Sequence, residues 1–162
     1  IFRQPLLRTH TMHTLIYTSI DSADALQQHA GLMEAVFPLH QSLRPHFQDF
    51  DAYLTQMQRV LADHARLLVV QYTDHQAIGL ALYRMHHNTY QHKLFFLEDL
   101  VVDENQRGRH LGSQILLQCE HIARSNGCHY LSLDSGTFRT RAHKFYYSHD
   151  YVADCFHFSK KL

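Results

Sequence analysis

No apolar run in this chain approaches the ~20 residues needed to cross a bilayer, so no membrane-spanning helix is expected. The opening residues, Ile1 to Thr14, lack the apolar stretch and small-residue cleavage site of a signal peptide, and a cytoplasmic location is the expectation. An excess of one charge is missing as well. Fifteen basic residues balance fifteen acidic ones with no block of like sign. That excludes the clustered Lys and Arg of a dedicated nucleic-acid binder or anionic-membrane binder, and favours a small-molecule partner. Cysteine is sparse: Cys119, Cys128 and Cys155 are odd in number and form no CxxC pair, which argues against a disulfide framework and a zinc knuckle. The sixteen histidines include no HExxH and are mostly scattered singly, so no metal site is expected. Neither GxGxxG nor GxxxxGK followed by Ser or Thr occurs, which removes the dinucleotide fingerprint and the P-loop.

What is present reads as one core. A chain of 162 residues can bury roughly two thirds of the surface its unfolded form exposes. Residues 12–162 are taken as a single domain, and residues 1–11, ahead of Met12, as an expression remnant or an unstructured extension. His13–Ile20 reads as a strand. Asp21 or Ser22 then caps a helix running to about His40, which Pro38 ends or kinks. A second helix is expected over Phe47–Arg66. Leu67–Tyr72, Ala77–His86 and Leu94–Val102 follow as an antiparallel meander, with turns at Thr73–Gln76 and Asn88–His92. A helix over Leu111–Ser125 ends at Asn126-Gly127, a good C-cap pair. The strand at Cys128–Leu133 completes a βαβ unit, whose strands should lie parallel. Phe138–Ser148 reads as helix and Tyr151–Lys160 as final strand material.

The informative stretch is Leu97–Gly112, LEDLVVDENQRGRHLG: a strand, a polar loop and a helix start. A helix N-terminus offers unpaired N–H groups and about half a positive charge, and Gly108 lets backbone approach a phosphate. Arg107 and Arg109 add donors and charge. The loop therefore suits a phosphate-bearing ligand.

In these residues the sequence resembles the GNAT N-acetyltransferase superfamily. The family pattern of Gln or Arg, two residues, Gly, one residue, then Gly or Ala lines up with Arg107-Gly108-Arg109-His110-Leu111-Gly112. LEDLVVDENQ is similar to the family's acidic strand, and Ala142-His143-Lys144-Phe145-Tyr146 to its tyrosine helix. Phe158–Leu162 resembles its last strand. Two departures stand out: His110 replaces the first motif glycine, and Asp150-Tyr151 stands where Gly-Phe is common.

The resemblance implies an α/β, three-layer fold, with a mixed, mostly antiparallel sheet and a central parallel pair splayed around acyl-CoA. It implies acetyl transfer from acetyl-CoA, without metal, to a primary amine of a small molecule, peptide or protein by direct attack in a ternary complex. The alternative is a non-catalytic acyl-CoA sensor or scaffold. The pantetheine arm would lie along Leu100, Val101 and Val102, and the pyrophosphate on the amides of Arg107, Gly108, Arg109, His110, Leu111, Gly112 and Ser113. Tyr146 resembles the general acid that protonates the CoA thiolate, against the alternative of a core aromatic; Tyr147 is the fallback. Glu98 is the candidate base, and alternation puts it and Asp99 on opposite faces, so that only one should look into the cleft. Phe37, His40, Arg44 and Phe47 are candidate acceptor walls, and Thr137 and Arg139 are read as contacts to the cofactor's far end. Cys119 is read as a packed thiol rather than a nucleophile. A homodimer through edge strands stays open.

Overall fold

The computed structural model describes residues 14–72 and 76–162. The expectations for residues 1–11, for His13 and for the turn at 73–75 lie outside the described residues. The chain begins with β1 (Leu15–Ile20), α1 (Ala23–Gln28), α2 (Ala30–Leu43) and α3 (Phe50–Ala62). Side chains fix two of these starts. Ser22 accepts from the Ala25 amide and Asp49 from the Ala52 amide, each satisfying a donor that a first helical turn leaves without an internal partner. The first expected helix is in fact two, parted at His29, and Pro38 lies inside α2 rather than ending it. Its ring removes the bond to the Glu34 carbonyl, but both residues are exposed, where water can serve that carbonyl. Because Asp49 supplies the cap, α3 starts after Phe47, whose ring instead packs on His40 and Tyr53 at 5.8 and 5.1 Å.

Next come β2 (Ala65–Tyr72), β3 (Ala77–Asn88) and β4 (His92–Val102). After one turn of 3-10 helix follow α4 (Leu111–Ser125), β5 (Tyr130–Leu133) and α5 (Thr140–Tyr147). The strands lie in chain order in one sheet, antiparallel throughout except for the parallel pair β4 and β5. Asn88 Oδ1 closes the β3–β4 turn by accepting from the Tyr90 and Gln91 amides. Gly127, at φ 70°, ends α4 by letting the Cys128 amide return to the Ala123 carbonyl.

Period-two alternation splits the sheet between two cores. Leu67 and Val69 pack under the first three helices, while Leu68 and Val70 pack with Ile115, Leu116 and Cys119 of α4. Helices, sheet and helices thus form three layers. Gly79 sets how closely α4 approaches: a Cβ there would lie 2.4 Å from Ile115 Cδ1 and 3.1 Å from the Val101 carbonyl oxygen.

The strand expected over Tyr151–Lys160 does not form. Val152, Phe156 and Phe158 are 78 to 89% exposed, and the segment's backbone meets no partner strand. Its contact with the β5 end is the His157–Asp134 pair at 2.9 Å, a surface interaction too weak to order a ladder. The parallel pair consequently stands at the sheet's edge instead of its centre.

Candidate active site

Pairing of β5 with β4 stops at Leu133 opposite Leu97. There β4 bulges: Leu82 faces Asp99 and Tyr83 faces Leu97, leaving Glu98 without an opposite residue. The extra residue reverses which face β4 presents. Leu97 packs on the α4 side and Val101 on the other, although unbroken alternation would put both on one face. Glu98 and Asp99 therefore line the same cavity, of about 420 Å³. This corrects the expectation that only one of them would face the cleft.

One wall of the cavity is a buried polar network. His40 Nε2 and Asp99 Oδ2 are 2.9 Å apart, and Arg44 donates from Nε, at 2.9 Å, and from Nη2 to Asp99 Oδ1. A carboxylate only accepts, so the His40 Nε2 carries a proton toward Asp99, while Nδ1 and the Tyr53 hydroxyl are hydrogen-bonded at 3.1 Å. His40 and Asp99 are 1% and 6% exposed, whereas the Arg44 side chain is 45% exposed. Burial alone pushes the Asp99 carboxyl up, but hydrogen bonds from His40 and Arg44, reinforced by their charge, outweigh it and hold the carboxyl below its usual range. Burial, with the Asp99 charge added, pushes the Tyr53 hydroxyl well up. Of the expected acceptor walls, Arg44 lines the cavity, His40 sits behind Asp99, and Phe37 and Phe47 pack around Tyr53. Glu98 has its own partner: Arg84 donates Nε to it and Nη1 to the Asp63 carbonyl.

The opposite wall comes from β5, α5 and the loop between them. Tyr146 is half-buried and lines the cavity. Burial pushes its hydroxyl up to about 12, against a lowering by the Arg139 charge. Tyr147 is 58% exposed. Arg139, read from the sequence as a contact to the cofactor's far end, lines this cavity too. The Ser135 Oγ is buried there and finds no partner among the described residues. Cys119 is fully buried, with its thiol pushed by burial to about 12, as suits a packed side chain.

Beyond the bulge, Leu100 to Val102 pair with β3 on one edge and have no strand on the other. The loop that follows turns through two left-handed residues, Gly108 at φ 81° and His110 at φ 58°. His110 is exposed and makes no side-chain cap. The Gln114 amide bonds the His110 carbonyl, so the amides of Leu111, Gly112 and Ser113 precede the helical ladder. Arg109 is exposed, and Arg107 is 3.7 Å from Glu104. The arrangement fits a pyrophosphate: free amides at a helix start, a glycine beside them and two cationic side chains.

Sequence reasoning missed His149. Its Nδ1 donates to the Phe145 carbonyl at 2.8 Å, which leaves Nε2 to accept from the Ser113 hydroxyl at 2.9 Å. The ring ties the end of α5 to the first turn of α4, and nothing in Ser148-His149-Asp150 signals it. Among the described residues, no three His, Cys, Asp or Glu side chains gather as metal ligands, and no helix is long and apolar enough to cross a membrane.

Comparison with known proteins adds three findings. The model of the acetyltransferase (GNAT) family matches residues 32–151. The aminoalkylphosphonate N-acetyltransferase of Salmonella typhimurium is 28% identical over 133 residues, covering 80% of this chain and 84% of its own. The structure of aminoglycoside N-acetyltransferase AAC(6')-Iy in complex with CoA superposes with a TM-score of 0.74 at 21% identity, over 92% of this chain and 95% of that one. An aminoglycoside acetyltransferase from an uncultured soil metagenomic sample, in complex with sisomicin, gives 0.71 at 15% identity, over 91% and 96%.

Proposed function

The chain belongs to the acetyltransferase (GNAT) family, and from that premise we propose that it transfers the acetyl group of acetyl-CoA to a primary amine of a small molecule or peptide by direct attack in a ternary complex. The observation that carries this reading is a protonated phenol and a carboxylate on one cavity, next to a strand edge and a helix start with free amides. The Arg107 amide is taken by the Glu104 carbonyl at 3.3 Å, so the pyrophosphate rests on the amides that follow it as far as Ser113, and the pantetheine arm lies along Leu100–Val102. A backbone amide in the Leu100–Val101 region faces the thioester carbonyl. One donor aimed at a developing oxyanion contributes roughly 3 kcal/mol to the transition state.

An amine of pKa about 10.4 is mostly protonated at neutral pH, an obstacle of ~4–5 kcal/mol. Glu98 takes that proton, directly or through water. Asp99 is the poorer base, because both of its oxygens already accept and its carboxyl is held below the usual range. The amine nitrogen then forms a bond to the acetyl carbon, the carbon–sulfur bond breaks as Tyr146 gives its proton to the leaving thiolate, and the second proton lost from the nitrogen passes through water to restore the Tyr146 hydroxyl. A hydroxyl pushed up to about 12 stays protonated throughout neutral pH, as an acid must.

The test is an acetyl-transfer assay over a broad amine panel with wild type and Tyr146→Phe. The reading expects kcat to fall about 100-fold or more in the variant, with acetyl-CoA still bound. Acetyl-CoA binding with no transfer to any amine, and a silent Tyr146→Phe, would favour the sensor or scaffold instead.

A further inference from the structure

The cavity holds hydrogen-bond donors that no side chain has taken up. Each carboxylate on it already has a partner: Glu98 has Arg84, Asp99 has His40 and Arg44, and Asp134 has His157. Three donor groups stand beside them. Arg44 uses Nε and Nη2 on Asp99, and Nη1 makes no hydrogen bond among the described residues. Its guanidinium does not wander, because the carboxylate that grips it is almost fully buried and is itself held by His40. Arg139, on the β5–α5 side of the cavity, has no carboxylate partner among the described residues; its guanidinium carbon stands 5.4 Å from the Phe138 ring centroid, and its charge acts on the Tyr146 hydroxyl. The buried, unpartnered Ser135 Oγ lines the same cavity. The first turn of α5 carries no acidic residue and no side-chain cap, so its free N–H groups add positive potential on the same side.

An arginine edge beside Asp99, a second guanidinium with no carboxylate partner and a spare hydroxyl form a wall that complements an oxyanion, for which guanidinium forks are well matched. A polycationic amine would set its further charges against these same guanidinium groups, and like charges so placed repel. We therefore propose that the acceptor is a small primary amine that also carries an anionic oxygen group, of the carboxylate or phosphonate class, gripped between Arg44 and Arg139 while its amine reaches Glu98. Arg44 and Arg139 are thereby specificity-determining residues. This rests on the acetyl-transfer reading above.

Steady-state kinetics on the full chain with acetyl-CoA tests it, using 2-aminoethylphosphonate and β-alanine against ethanolamine, 1,3-diaminopropane and kanamycin. At least one acidic amine is expected to exceed ethanolamine tenfold or more in kcat/KM, and which of the two does so identifies the oxyanion. Arg139→Ala, at an exposed position, is expected to close most of that gap through KM. Arg44→Lys, which keeps a charge beside Asp99 and loses the fork, is expected to narrow it. Calorimetric titration of ethylphosphonate and propionate into the CoA-saturated protein separates binding from chemistry. Oxyanion binding that weakens in Arg139→Ala, with no amine acetylated, would overturn the acceptor assignment together with the acetyl-transfer reading and leave only an oxyanion site. Preference for the neutral or cationic amines, or a gap unchanged in both variants, would overturn it.

Discussion

At the proposed cofactor end of the cleft the residues are contiguous, Leu100 to Ser113, and mostly offer backbone amides. At the acceptor end the wall joins His40 to Asp99, fifty-nine positions apart, and Asp99 to Arg44, fifty-five apart, through side chains alone. The first kind of site is written in local spacing and, if backbone amides carry it, should tolerate a side-chain change such as His110 in a glycine's place. The second exists only once α2 has docked on the sheet. Substitution should therefore act differently at the two ends: through charge and burial at the acceptor wall, and through backbone conformation at the cofactor loop.

The largest effect is expected where the contrast is sharpest. Asp99→Ala strips a buried partner from His40 and Arg44 and should cost about 3–5 kcal/mol of stability, read by denaturant unfolding. The same carboxyl makes the wall acid-sensitive. Its folded pKa lies below the ordinary 3.8, so its stabilisation is fully present above that value and is lost as pH falls through the depressed one. Asp99→Asn should flatten that acid limb relative to wild type. An unchanged limb would mean that the network contributes nothing there.

Tyr146→Phe comes next, at about 100-fold or more in kcat, equivalent to roughly 2.7 kcal/mol in the barrier. His149→Ala removes the tie between α5 and Ser113, and one such bond is worth about 1 kcal/mol. A matching loss of acetyl-CoA affinity in calorimetry would show that the clasp shapes the loop, whereas a loss confined to thermal stability would limit it to packing. The smallest change is a gain. His110→Gly relieves a left-handed residue and should stabilise the fold by about 1 kcal/mol or less. A loss of stability there would show that the imidazole makes contacts worth more than the strain.

The same contrast explains what could be read in advance. The bounds expected for α4, Leu111 to Ser125, agree with the structure, because apolar period and the Asn126-Gly127 cap both act within a few residues. The meander was legible from its alternation. The bulge at Glu98 was not, since a one-residue slip depends on how β3 and β4 settle against each other, and it alone turned Asp99 toward the cleft beside Glu98. The tail misled for the opposite reason: Val152, Phe156 and Phe158 favour a strand, but a strand needs a partner ladder and none meets them. Arg84 and His149 carried no local pattern, and their roles come only from where the fold delivers them.

The cofactor loop is the premise for every role assigned above, and thermal unfolding with and without acetyl-CoA, with NADH as the phosphate-bearing control, tests it most directly. At a hundredfold excess over its dissociation constant, acetyl-CoA should stabilise by ~2.7 kcal/mol, raising the midpoint by roughly 5–10 °C for a domain of this size. A shift with acetyl-CoA and none with NADH is the result expected; no shift at millimolar acetyl-CoA, or an equal shift with both, would contradict the site.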